Sequence, residues 1–146
     1  MNWKKEAENE LRQYTDLCSS IMNIRERIAS VEMAMSSIKG STSSVPVKGG
    51  GNQYEDNMLN LIVEKDRLKA LYRVNRQRQK IIKRGLDALS EKEKKVINRF
   101  YINNMKYADA VNCLREEIGY EERQINRIRN DALYHYTLAE FGLPEL

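Results

Sequence analysis

The chain is poor in the residues that build most small catalytic and metal sites. It has a single histidine, His135, between Tyr134 and Tyr136, and two cysteines, Cys18 and Cys113, far apart on apolar helical faces. That set gives neither paired Cys spacing nor a fourth ligand for a tetrahedral ion, so no metal site is expected and two packed, reduced thiols are. Glycine is scarce outside Gly49-Gly50-Gly51, which lacks a following Gly-Lys-Ser/Thr and reads as chain flexibility, not as a phosphate cradle. No apolar run approaches the ~18 residues of a membrane span. Met1 to Glu10 has no apolar signal core, so cytoplasm is the expected address and no membrane partner is expected. Sustained period-two alternation is missing too, which excludes a sheet. The acidic pairs Glu116-Glu117 and Glu121-Glu122 stand near helix boundaries without a set of partners. They suit solubility, capping or repulsion from phosphate, and a non-enzymatic protein with no catalytic residue and no cofactor is expected.

What is present is helix. Apolar residues make up 41% and charged residues 32%, a balance that suits long exposed helices better than a thick core. From Asn2 to Ile38 there is neither Gly nor Pro, and Tyr14, Leu17, Ile21, Ile24, Ile28, Val31, Met35 and Ile38 alternate spacings of three and four. Trp3, Ala7 and Leu11 prolong that face. Such a rod, about 55 Å long at 1.5 Å per residue, must pack on another helix. Gly40 to Asn52 interrupts the pattern, and a second helix is expected from about Gln53, with Tyr54, Met58, Leu61, Leu68 and Tyr72 on one face. The spacing therefore predicts an all-α protein: a long antiparallel helical hairpin over residues 1–84, with a flexible connection at 39–52, followed by a small helix-turn-helix domain over 85–146.

Between Lys65 and Arg84 nine basic residues face a single acid, Asp66. They are either a solvated helix face or a surface for phosphate or an acidic protein. Gly85 marks a helix boundary or bend. Ser90 and Glu93 then have capping-box spacing ahead of a helix carrying Val96, Ile97, Phe100 and Tyr101. Asn103-Asn104 breaks the period. Helices are expected from about Lys106 to Glu117, burying Ala110, Val111 and Leu114, and from about Glu121 to Ala139, burying Ile125, Ile128, Ala132, Leu133 and Tyr136. Gly119-Tyr120 turns between them, which is a helix-turn-helix pattern. Between the anchors of the last helix lie Arg123, Gln124, Asn126, Arg127 and Asn130, residue types that pair with base edges or clamp phosphate. Arg129 borders this face. Lys92, Lys95 and Arg99 are candidates for positioning a DNA backbone from the first helix of the domain.

The stretch from Gly85 to Tyr101, with its Leu89-Ser90-Glu91-Lys92-Glu93, and the stretches Tyr107 to Val111 and Gly119 to Leu133 resemble region 4 of bacterial sigma factors. They resemble more closely the small phage late-gene transcriptional regulators of the ArpU and RinA type. The likeness covers residues 86 to 136, about a third of the chain. In that pattern Leu89, Ser90, Glu91 and Glu93 open the first helix of the DNA-binding unit, and Arg123, Ile125, Arg127, Ile128 and Arg129 belong to the recognition helix. The chain departs from it at Glu121 and Glu122, where a small hydroxyl residue is common. The resemblance implies a sequence-specific double-stranded DNA-binding regulator of phage transcription, of late genes, acting in the bacterial host cell.

The alternative from another class is an oligomerisation or protein-interaction module, including a DNA-packaging protein like a terminase small subunit. For the hairpin, the expected partners are host RNA polymerase or a second copy. A homodimer or other homo-oligomer would bury Leu17, Ile21, Ile24, Ile28, Val31 and Met35, the longer of the two stripes. The competing reading packs Trp3, Ala7 and Leu11 against the carboxy-terminal domain and leaves a monomer.

Overall fold

The computed structural model describes residues 2–41 and 50–142, and these are all-α, with no strand among them. Helix α1 is Trp3–Ser41, α2 is Gly50–Asp87, α3 is Glu91–Ile97, α4 is Tyr107–Ile118 and α5 is Glu122–Phe141. A π-helical turn, Asn98–Ile102, continues α3. Residues 42–49, the middle of the expected flexible connection, lie outside the described residues. None of the described helices is long and apolar enough to cross a membrane.

The chain divides into two compact units, and the division differs from a boundary at residue 85. One unit is Ser19–Gln77; the other takes in the chain up to Cys18 together with everything from Arg78 on. The difference has a physical cause, because the base of each long helix supplies core to the carboxy-terminal domain. Ala7, Leu11 and Ile82 are buried in the same cluster as Val96, Ile97, Phe100, Leu114, Ile125 and Tyr136. Trp3 packs on Phe141 with ring centroids 4.8 Å apart. The Asn104 amide donates to the Arg12 carbonyl (3.1 Å), and the Arg12 guanidinium lies 5.3 Å from the centre of the Tyr101 ring. This is the packing that the competing reading of Trp3, Ala7 and Leu11 expects.

In the unit Ser19–Gln77 the two helices run antiparallel. Asn75 Nδ2 donates to Ser20 Oγ (3.4 Å) and Lys65 pairs with Glu32 (3.2 Å), so advancing along α1 means retreating along α2. Ile21, Ile24 and Leu68 are buried, while Ile28, Val31 and Met35 are half-buried. The α1 stripe offered for oligomerisation is therefore largely covered within one chain, and its lowest member, Leu17, packs against the core of the other unit.

Gly85 is no boundary. It is buried within α2, which continues to Asp87, and a Cβ placed there would stand 2.5 Å from Cε2 of Tyr136, itself fully buried. The glycine is needed for close approach of two helices, not for a bend. Downstream, Ser90 and Glu93 form the expected capping box: the Glu93 N–H donates to Ser90 Oγ (3.3 Å) and the Ser90 N–H to Glu93 Oε1 (3.1 Å). Burial alone would raise the Glu93 carboxyl, but His135, whose Nδ1 lies 2.6 Å from Oε2, and Ser90 hold it below its ordinary value. The Asn103 N–H closes the π turn on the Asn98 carbonyl (2.8 Å), and Asn104 leaves it in the left-handed region at φ 49°.

Where α1 meets the end of α5, the Tyr136 hydroxyl donates to Glu10 Oε2 (3.2 Å), and Glu140 stands beside both. Burial first, then a hydrogen bond with Glu10, pushes Glu140 up to about 8 from the usual carboxylate range. A carboxyl raised in the folded state contributes stability that is full below its unfolded pKa and is lost as pH rises through the folded one. Stability measured by urea unfolding should therefore fall between about pH 4.5 and pH 8 through this group. Glu140→Gln should flatten that fall and raise stability at pH 8. An unchanged pH profile in the variant would place the titration elsewhere.

Candidate nucleic-acid interface

Helices α4 and α5 pack through Ala110, Val111 and Leu114 against Ile125, Ala132 and Leu133, all in one buried cluster. The turn between them is Gly119-Tyr120-Glu121. Gly119 sits in the left-handed region (φ 74°) and its N–H closes α4 on the Arg115 carbonyl (3.0 Å). That is the helix C-terminal position where a side chain is strained and glycine is not. The sequence thus dictates two helices joined by a three-residue turn, the frame of a helix-turn-helix.

On α5 the anchors Ile125, Ala132, Leu133 and Tyr136 fix which side is outward. Arg123, Arg127, Asn130 and Tyr134 share the opposite ridge, and all four are exposed. Among the described residues, Arg123 and Arg127 have neither an ion-pair nor a hydrogen-bond partner. Standing one turn apart, they present two guanidinium groups to whatever approaches. Asn130 Oδ1 accepts from Lys4 Nζ (3.4 Å), which brings a cation from α1 to the edge of the same ridge.

The other sequence candidates have different employment. Gln124 is exposed, but its Oε1 accepts from the Glu121 N–H (3.1 Å), completing one arm of a capping box at the start of α5. Asn126 is half-buried and its Nδ2 donates to the Tyr107 hydroxyl (2.8 Å), which in turn donates to Glu122 Oε1 (2.6 Å). The Asn126 Oδ1 is buried with no protein partner. Arg129 turns inward: its guanidinium lies 4.9 Å from the Phe100 ring centre and 5.8 Å from that of Tyr107, a cation held on aromatic faces and not offered outward.

Of the backbone-positioning candidates, Lys95 is exposed. The Lys92 ammonium donates to the Tyr120 hydroxyl and sits 4.7 Å from the centre of that ring. Arg99 is half-buried and makes a two-pronged pair with Glu117, Nε to Oε2 at 3.2 Å and Nη2 to Oε1 at 2.9 Å. The hydrogen bond from Arg99 holds Glu117 below the ordinary carboxylate range, with Lys95 adding to the effect. Near the start of α5, then, acids are matched one by one: Glu117 by Arg99, Glu121 by Arg115 (2.8 Å) and Glu122 by Tyr107. Four acidic side chains in this region would repel phosphate if bare; three are tied to donors.

Two members of the ridge escape sequence reasoning. Tyr134 falls in phase with Arg123 and Arg127, yet a tyrosine at this spacing also reads as core. Lys4 lies 126 residues from Asn130, and no local signal links them. Among the described residues no three His, Cys, Asp or Glu side chains are grouped so as to hold a metal ion.

No protein-family model, no curated protein and no solved structure matches this chain.

Proposed function

We propose that this protein binds double-stranded DNA sequence-specifically through α4 and α5 and acts as a regulator of phage transcription. The observation that carries DNA binding is the outward ridge of α5, where Arg123 and Arg127 stand exposed and unpaired after a three-residue turn led by Gly119. Regulation, and the late genes as its target, rest on the resemblance to the ArpU and RinA type of regulator. In this reading Arg123 and Arg127 contact bases or phosphates directly, Lys95 and Lys4 meet phosphates at the edges, and Lys92, Arg99, Gln124 and Asn126 shape the surface through the partners they already hold. RNA polymerase of the host is the further partner proposed for the hairpin.

Binding should be measured on a tiled set of duplex fragments from the surrounding genome at several salt concentrations. A few contacting cations would give a log-log salt slope of roughly −0.9 per phosphate neutralised, superimposed on preference for one fragment. Preference for a fragment upstream of late genes supports regulation, and preference for one at a packaging start would move the reading to a terminase-like role. Equal weakness toward every duplex would remove specific DNA binding.

A further inference from the structure

We infer that the outward face of α2 pairs with the same face of a second copy, antiparallel and centred between Asp66 and Arg67. This does not rest on DNA reading by α5.

Helix α2 carries two apolar stripes. The first, with Leu68 and Tyr72, faces inward and is spent on the hairpin. At about 3.6 residues per turn, Leu59, Val63, Ala70 and Val74 fall within about 60° of one another on the other side. They are exposed: Leu59 at 58%, Val63 at 59% and Val74 at 54%, with Ile62 and Leu71 at 40% on the flanks. A contiguous row of large apolar side chains over roughly 22 Å of helix is more than scattered surface hydrophobicity. Asp56 and Gln77 end the row on the same face, so it is bounded at both ends.

The identity of the occupant comes from the order of residues. Read outward from the point between Asp66 and Arg67, the sequence mirrors itself in chemistry. Ala70 answers Val63, Leu71 answers Ile62, Val74 answers Leu59, and Lys69 answers Glu64. Asp66 and Arg67 answer each other. A two-fold antiparallel pair of α2 helices therefore sets apolar against apolar and acid against base at each of these steps. An interface between identical surfaces has this requirement, and a surface evolved for an unrelated partner does not. Arg67 meets Glu64 along its own helix (2.9 Å), whereas Asp66 and Lys69 have no ion-pair partner among the described residues. The second copy supplies both.

A seam of this length belongs to the small end of specific interfaces, so association should depend on concentration. The test uses the full chain in sedimentation or light scattering over a concentration series. Wild type should rise from 17.1 kDa toward twice that mass. Val63→Asp should remain monomeric throughout. Asp66→Arg and Arg67→Asp should each shift the midpoint at least tenfold upward, because each sets like charges across the axis twice. Mixing those two variants should restore association, since each then meets its opposite. All three positions are exposed, and circular dichroism checks that helix content is kept. If Val63→Asp loses helix, the charge variants and their mixture still decide.

A wild-type mass fixed at 17.1 kDa, or a mixture no better than its components, overturns the inference. Association that survives every variant also overturns it, by moving the contact to another face such as that of Met22 and Met33 on α1. A monomer that still selects a DNA fragment would refute this pairing alone, and a dimer indifferent to DNA would refute the reading of α5 alone.

Discussion

Arg127→Ala lowers affinity for the preferred duplex by about tenfold or more, corresponding to about 1–3 kcal/mol for a lost base or phosphate contact, and relaxes discrimination between fragments. Arg123→Ala acts in the same direction, and the two together abolish selection. The expectation follows from their exposure and their lack of partners: removing either costs the fold nothing that the structure can identify, so the loss appears in binding. Lys95→Ala, by contrast, weakens preferred and unrelated fragments alike and makes the salt slope shallower by about one phosphate. Gln124→Ala separates capping from reading, because its side chain already serves the Glu121 N–H; its effect should appear first in thermal stability. Quantitative titration of two fragments at two salt concentrations, beside unfolding curves, measures all of these. Arg127→Ala with unchanged affinity and unchanged preference would take the α5 ridge out of the interface.

Gly85→Ala destabilises the protein despite improving helix propensity. Exchanging glycine for alanine inside an exposed helix gains roughly 1 kcal/mol. At Gly85 the new methyl would meet Tyr136 at 2.5 and 2.6 Å, and Tyr136 is fully buried with its hydroxyl tied to Glu10. Overpacking of this kind costs about 1–3 kcal/mol or more, because a close-packed interior cannot yield locally. The sign should reverse in a Tyr136→Ala background. There the ring is gone, and Gly85→Ala should recover the propensity gain on a protein already weakened by about 3–5 kcal/mol. Urea unfolding of the four proteins gives the cycle. Additive effects would mean that the helices separate to admit the methyl.

Those two residues also mark where sequence reasoning succeeds and stops. The phases of α1, α4 and α5 were legible because spacings of three and four leave one choice of buried side, and Ile125, Ala132, Leu133 and Tyr136 are buried as that choice requires. The Ser90–Glu93 capping box was legible because its partners lie three residues apart. Gly85 was not, since the pattern that marks a helix break also marks a close crossing, and only Tyr136 in place tells them apart. Gln124 looked free because glutamate is an unusual N-cap, and Arg129 looked outward because helical phase says nothing of aromatic faces waiting at Phe100 and Tyr107. The junction of Glu10, Tyr136 and Glu140 joins residues too distant for any periodicity to connect.

The burial of Ala7 and Leu11 in the carboxy-terminal core bears on how the chain reaches its fold. The hairpin closes on contacts such as Lys65 with Glu32, whereas the domain that carries α5 has contacts spanning 126 residues, Lys4 to Asn130 and Tyr136 to Glu10. During synthesis on a ribosome the first turns of α1 emerge long before α5 exists, and they wait with Ala7 and Leu11 uncovered. Contacts so far apart in sequence are slow to form and leave apolar surface exposed meanwhile. The helix-turn-helix is thus the last part of the molecule to mature. A nascent chain carries a partly built hairpin well before it carries a finished recognition helix.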